Sequence, residues 1–528
     1  MRLRGFAFLL VGGVLLAGAS GGCAPDNVAG TSLTYGLTLS PSGIDPHLNA
    51  SAELGIPLSS VYDTLVAQDP STGEFLPGLA DSWTISNDGK DYAFRLRSGV
   101  RFHDGTPFDA EAVRANIDYV AAPDNHSQKA VFMLGPLESV EVPEAMTVVI
   151  HLAEPYPSLL DSLSQVYLGM ASPQALATWG PAEYQFHQVG TGPYRFVEYV
   201  PNDHLTLERN PEYAWGPTIY RNATARIETV TFRLFVDPAS RALALENGDA
   251  DVLGEIPPHD AERLENSGDF EVHPVAIPGQ PMQFLFNTGL PPTDDLSVRL
   301  GLLAALDRST IVASVFGRTS PVAEGPLSAS NWGSAPDSRF PAYDPAEADR
   351  LLSQAGWVLG DDGSRRKDGE LLRIRIVAPL WGNNPEVGQL MEAAWEELGA
   401  DVSLQVVPSF GQLKEEQEAG GYHLIGINFF GTDPDVLRPM FAGDGVYNWT
   451  AYRDPLLDDL LRRAGSMSTS QADRQALYSE VSLIVRDQAL ILPIRDYVNL
   501  VVSNRRVHGL RFTYTGWFPL LIDLELTS

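Results

Sequence analysis

The chain has 528 residues, with 36 Lys and Arg against 67 Asp and Glu, and a formal net charge of −31. Such an excess of acid repels nucleic acid and anionic lipid headgroups at long range, so neither is an expected partner. Apolar residues make up 44 %, the length suits two or three domains, and one cysteine permits no internal disulfide.

Arg2 and Arg4 open the chain, an apolar run follows from Phe6 to Ala17, and small residues fill 18–22. Basic start, apolar middle and small-residue end make an export signal, with 1–22 removed and the body outside the cytoplasm. The apolar run falls short of the roughly 20 residues that span a bilayer, and no later segment approaches that length without charges. Cys23 is the only cysteine and comes directly after this signal. It is either an incidental residue of the signal region or the lipid-carrying first residue of a bacterial lipoprotein. "LLAGASGGC" (15–23) resembles a lipoprotein signal in Gly21 and Gly22, and departs from it at Ser20, where such signals usually carry Leu. That resemblance implies a lipid bilayer as partner, reached through Cys23 and a tether over 23–31.

The rest alternates strand and helix patterns. Tyr92, Phe94 and Leu96 mark a half-buried strand, and Asp109 precedes a helix with Val113, Ile117 and Val120 on one face. The spacing predicts a strand over 230–236, a helix over 238–247 and a short strand near Val252. It predicts another unit with strands at 372–377 and 402–407 around a helix over 385–398. A helix crossing between strands implies parallel pairing, and two such units imply two α/β lobes. "YDPAEADRLLSQAGW" (343–357) places Asp344 as N-cap, Glu347 as its reciprocal partner and Gly356 as terminator. "DPLLDDLLRRAG" (454–465) repeats the scheme with Asp454, Pro455 and Gly465. These are folding signals without chemistry.

Enzyme signatures lead nowhere. The only Gly-x-Ser-x-Gly is 18–22, inside the export signal, and the only Ser-x-x-Lys is Ser364 to Lys367, within the charged stretch "DDGSRRKDG" (361–369), which reads as a solvated hairpin loop. There is no His-Glu-x-x-His helix and no P-loop, and the ten histidines lack metal-ligand spacing. His103 beside Asp104 reads as part of a tight turn. No enzymatic activity, cofactor or metal centre is expected.

Ligands of open α/β sheets sit beyond the carboxyl ends of the strands. That directs attention to "PLWGNNP" (379–385), "INFFGTDPD" (427–435) and Tyr447 to Trp449. Trp381, Asn383, Phe430, Asp433, Asn448 and Trp449 combine aromatic faces with polar groups, as small-molecule sites do. The alternative for each is a plain core position at a loop root.

Several stretches, in order, are similar to the family 5 solute-binding proteins of ABC importers: "IDPHL" (44–48), "LPGLADSW" (76–83), "FRLRSGVRFHDGTPFDAEAV" (94–113), "VGTGPYRF" (189–196), "ERNPEYAWG" (208–216) and "NGDADV" (247–252). The resemblance implies a two-lobed α/β periplasmic-binding-protein-like fold with a hinge. Its first lobe is discontinuous, over 32–58, 187–277 and 495–528. An extra α/β domain is inserted at 59–186, and the second lobe covers 278–494. It also implies a monomer that captures a solute between the lobes and hands it to an ABC permease in the cytoplasmic membrane. Peptide is the leading solute; a nickel chelate, an oligosaccharide or an opine-like compound is the alternative, as is a receptor for a membrane sensor. Peptide-binding members hold the peptide's amino group with an Asp shortly before an Asp-Pro-Asp-like segment. Here Asp433-Pro434-Asp435 follows Phe430, Gly431 and Thr432, so Asp433 is the candidate for a cationic group.

Overall fold

In the strand Ser32–Leu37, Leu33 and Tyr35 to Leu37 are buried, so both faces are covered. Its neighbours supply the cover: Thr229–Leu234 and Val252–Leu253 flank it, and both pair with it in parallel. The computed structural model describes residues 32–527 other than 42, 336–338 and 467–469. The export signal, Cys23 and the tether expected over 1–31 lie outside the described residues.

Those three strands lie at the centre of a seven-stranded sheet, in the order Phe270–Ala276, Val498–Asn504, Val252–Leu253, Ser32–Leu37, Thr229–Leu234, His204–Arg209, Tyr194–Val200. The helix Pro238–Asn247 crosses between two of them, capped by Asp237 and ended by Gly248 in the left-handed region. Ser32–Leu37 lies between the strands that this helix joins, a separation that local sequence does not encode.

A four-stranded antiparallel sheet (Ala80–Ile85, Asp91–Leu96, Thr147–Leu152, Leu137–Glu144) forms between the first and later strands of that assembly. Tyr92, Phe94 and Leu96 point into its core, against Val113, Ile117 and Val120 of the helix Ala110–Ala121. Asp109 caps that helix by accepting from the Ala112 N–H at 3.0 Å. His103 is a pin: its Nδ1 accepts from the Gly190 N–H at 3.3 Å and its Nε2 donates to the Gly192 carbonyl at 3.0 Å. Burial holds its pKa down to about 4, so the ring is neutral.

The second lobe carries a five-stranded sheet in the order Asp401–Val407, Arg373–Pro379, Leu424–Gly426, Met282–Phe286, Ile491–Arg495. Arg373–Pro379 and Asp401–Val407 are direct parallel neighbours joined by the helix Asn384–Glu397. Trp395 of that helix is fully buried and donates Nε1–H to the Leu302 carbonyl at 3.0 Å.

Three local expectations need correction. Asp344 caps Pro345–Gln354, but Glu347 does not reciprocate: the Asp344 N–H already donates to the Ala304 carbonyl at 2.8 Å, and the Glu347 carboxylate pairs with Arg350. Gly465 does not end its helix, which runs Pro455–Ser466. A Cβ there would sit 2.9 Å from Asp435 Oδ1, so the small residue serves close packing instead. The Ser364–Lys367 stretch is a hairpin but not fully solvated. Arg365 is 1 % exposed and donates to the Leu398 carbonyl at 2.7 Å and the Trp357 carbonyl at 3.1 Å.

The chain leaves the seven-stranded sheet after Phe270–Ala276, enters the five-stranded one at Met282–Phe286, and returns between Ile491–Arg495 and Val498–Asn504. These crossings run side by side, with the Ile277 N–H donating to the Tyr497 carbonyl at 2.9 Å. Gly279 has φ +131°, and a Cβ there would meet the backbone of Phe430 and Gly431 at 2.7 Å. Only glycine fits that position. Among the described residues no helix is long and apolar enough to cross a membrane.

Candidate functional site

The strand-end loops of the second lobe meet the crossings. Gln280 clamps one loop twice: its N–H donates to the Phe429 carbonyl at 2.9 Å, and its Oε1 accepts from the Phe429 N–H at 2.9 Å. This fixes Phe430, which stays 45 % exposed. The Phe430 ring stands edge-on to Tyr497 at 4.7 Å and lies 6.1 Å from Trp517. Tyr497 Oη donates to Asn428 Oδ1 at 3.3 Å. The loop holding Trp381 and Asn383 closes against the same tyrosine, since a Cβ on Gly382 would sit 3.4 Å from Tyr497 Oη. Trp381 is 44 % exposed, and Asn383, also exposed, takes a left-handed φ of 63° with no side-chain cap bond. Exposed Phe430, Trp381 and Asn383 thus gather around Tyr497, with Trp517 reaching in from the C-terminal segment.

Asp433 is placed differently. It is buried and grips Arg474 through two hydrogen bonds of 2.9 and 2.8 Å. The guanidinium lies 5.2 Å from the Trp332 ring, and the carboxylate and Tyr478 drive the Arg474 pKa above its ordinary value despite burial. Asp433 Oδ1 also accepts the Asp435 N–H at 2.8 Å, as cap of the turn Pro434–Leu437. Its charge is answered inside the lobe, so a ligand amine would have to displace an arginine. Asn448 is likewise engaged: Nδ2 donates to the Ala442 and Tyr452 carbonyls at 2.9 Å, and Oδ1 accepts from Thr450 Oγ1 at 2.6 Å. Trp449 is 3 % exposed, stacked on Phe410 with centroids 6.3 Å apart. These two hold the loop from within and present nothing to a ligand in this conformation.

Beyond Phe430 a groove of about 1390 Å³, open to solvent, separates the second lobe from segment 129–165. Lys129, Tyr156 and Asp161 line one wall, with Thr432, Arg438 and Asp458 on the other. The walls touch where Thr432 Oγ1 donates to Asp161. Burial pushes the Asp161 pKa up to about 7, with the Asp433 charge adding, against the donors Thr432 and Gln165. Tyr514 makes a second bridge, donating to the Ser330 carbonyl at 2.9 Å. Sequence reasoning missed Lys129, Asp161, Tyr497 and Trp517. None lies in a strand-end loop of the second lobe's crossover unit, and only assembly brings them to the cleft. Lys129 carried a faint signal, as one of four lysines in the chain.

A family model described as bacterial extracellular solute-binding proteins, family 5 (middle), matches residues 74–449. The chain belongs to this family. Members are the extracytoplasmic substrate-binding components of ABC importers, transport proteins and not enzymes. The chain is similar to the glutathione-binding protein GsiB of Pectobacterium atrosepticum, 30 % identical over 420 residues and 76 % of each chain. It is similar to the nickel-binding periplasmic protein of Escherichia coli, 28 % identical over 510 residues and 91 % of each. Among solved structures, NikA from Brucella suis in complex with Fe(III)-EDTA superposes with a TM-score of 0.81 at 26 % identity, covering 94 % of this chain and all of the other. Its neighbours place the fold among two-lobed binding proteins. The two sheets joined by paired crossings match the two lobes of this family's fold.

Proposed function

We propose that this family 5 protein captures a peptide-like solute in the interlobe cleft, against Phe430, Trp381, Asn383, Tyr497 and Trp517, and delivers it to its permease. The observation that carries this reading is Phe430, packed on Tyr497 and Trp517 at the crossings, standing in the wall of a solvent-open groove of about 1390 Å³. A single ion needs no such room, while a short peptide does. Aromatic faces accept varied side chains, and the amides of Asn383 and Asn428 suit a peptide backbone. The similarity to a glutathione-binding protein supports a peptide-like cargo. The nickel-binding relative and the Fe(III)-EDTA complex favour a second reading, a metal chelate. Among the described residues no three His, Cys, Asp or Glu side chains are grouped to hold a metal ion, so a metal cargo would arrive wrapped in its chelator.

In this reading the lobes are 32–58 with 187–277 and 495–528, and 278–494, with 59–186 inserted. The chain is a monomer, freed of residues 1–22 and anchored by a lipid on Cys23. A solute that contacts both lobes favours the closed form by its differential affinity. Calorimetry against short peptides, metal chelates and sugars, followed by small-angle scattering with the best binder, tests this. A peptide should bind and reduce the radius of gyration. Sugar binding alone, or a peptide bound at unchanged radius, would overturn the peptide or the closure part respectively.

A further inference from the structure

Lys129 sits on the groove wall with its Nζ 3.6 Å from the centroid of the Tyr167 ring. Among the described residues its ammonium makes no hydrogen bond and no ion pair. The other cations of the groove are occupied: Arg438 by Asp435, Arg462 by Asp459, and Arg453 by the Gly443 carbonyl. Asp161 is the acid that acts on Lys129 through space, but its oxygens are taken by Thr432 and by Gln165 Nε2 at 3.0 Å. Burial lowers the Lys129 pKa to about 8, the mark of a cation that has lost water without gaining a counter-charge.

The position is also held in place. Ser127 Oγ donates to the His47 carbonyl at 2.6 Å, and the Gln128 N–H donates to the Leu48 carbonyl at 2.9 Å. His47 is itself tied to the Gly169 carbonyl at 2.7 Å through Nε2. Tyr167 is fully buried, and its Oη donates to the Ser51 carbonyl at 2.9 Å. The ammonium is therefore held by a fixed backbone over a fixed ring, in the wall of the open groove. An aromatic face satisfies one side of a cation and leaves the others to water or an anion. In a closed groove that loses water, an anion is the partner that offsets the desolvation.

We propose that Lys129 is an anion anchor of the groove, taking a carboxylate of the transported solute, so that the cargo is an acid. This rests on the solute-binding reading and narrows it. The carboxylate belongs either to the free C-terminus of a peptide or to a metal chelate built on carboxylates, and the two sources are separable. Calorimetry with wild type, Lys129→Gln and Lys129→Arg uses Leu-Leu, Leu-Leu amide, Fe(III)-EDTA and maltose as probes.

The wild type should bind Leu-Leu at least tenfold tighter than its amide, as one charge-assisted contact provides. Lys129→Gln should erase that difference and Lys129→Arg should restore most of it. The same loss and rescue with Fe(III)-EDTA and not with Leu-Leu assigns the carboxylate to a chelate. Equal binding of acid and amide by the wild type, together with Fe(III)-EDTA binding that Lys129→Gln leaves unchanged, overturns the anchor and leaves a solute binder. An acid preference kept by Lys129→Gln overturns it as well, placing the anion elsewhere. Binding of maltose alone overturns the acid cargo while the protein remains a solute binder, and failure of both acids to bind the wild type overturns the anchor.

Discussion

Asp433 and Arg474 offer the sharpest separation of a structural role from a ligand-binding one. Both side chains are less than a tenth exposed and meet through two hydrogen bonds of 2.8 and 2.9 Å. Removing one member leaves an uncompensated charge in the lobe, which costs about 3–5 kcal/mol. Arg474→Met should therefore lower the unfolding free energy in a urea titration by that amount, and Asp433→Asn by a similar one, because the hydrogen bonds left to the guanidinium are to the Ala464 carbonyl at 3.0 Å and Tyr478 Oη at 3.3 Å. The double variant should lose much less than the two losses combined, since neither charge is then stranded. The expected coupling is about 1–3 kcal/mol. Asp433→Asn should leave the affinity for a cationic peptide unchanged when measured well below its unfolding midpoint. Additive single losses would refute the pair, and a tenfold weaker cationic peptide would return Asp433 to the ligand.

Phe430→Ala should weaken solute binding about tenfold with little loss of stability, because the ring is half-exposed and its aromatic contacts are worth about 0.5–1.5 kcal/mol each. Trp449→Ala should do the opposite, costing about 3–5 kcal/mol in a urea titration as a buried Trp does, with affinity retained. Glu53 and Asp161 have pKa values pushed up to about 7 by burial, above the ordinary 4.5 and 3.8. The folded chain then keeps protons that the unfolded chain releases, so their contribution is full below the ordinary values and lost as pH rises through about 7. Thermal midpoints should fall over that range, and Glu53→Gln with Asp161→Asn should flatten the fall. Cys23→Ala should release the protein from membranes into the soluble fraction, and an unmodified thiol in the intact mass of the mature chain would count against lipidation.

Local physics carried most of the elements. The helix expected over 238–247 runs over those residues because Asp237 caps it and Gly248 supplies the left-handed turn. The second crossover unit was legible because its strands are direct neighbours. The capping box at Glu347 failed for a tertiary reason, the Ala304 carbonyl having claimed the Asp344 N–H. The candidate site divides the same way. Phe430, Trp381 and Asn383 stand at strand ends where topology predicts ligands, and they are exposed there. Asp433 and Trp449 carry the same chemistry, but their partners Arg474 and Phe410 come from other parts of the chain, while Asn448 is spent within its own loop on Ala442, Thr450 and Tyr452. No spacing rule reveals that a carboxylate is already taken.

The solute surface and the crossings form one hydrogen-bonded unit. Gln280 holds Phe429 from both sides, and the Gly431 N–H donates to the Pro278 carbonyl at 3.2 Å. In the proposed reading, a solute seated against Phe430 bears on the backbone that would turn as the lobes close. Among the described residues, Thr432 to Asp161 ties the groove walls, and Tyr514 to Ser330 and the exposed pair Arg318 to Glu262 bridge the lobes elsewhere. Each such bond contributes only about 0.5–1.5 kcal/mol net. Moving the lobes from 1 % to 99 % closed takes a differential of about 5.5 kcal/mol. These contacts alone fall short of that, so in the proposed reading the balance comes from a solute that touches both walls, and the lobes close when loaded and open when empty.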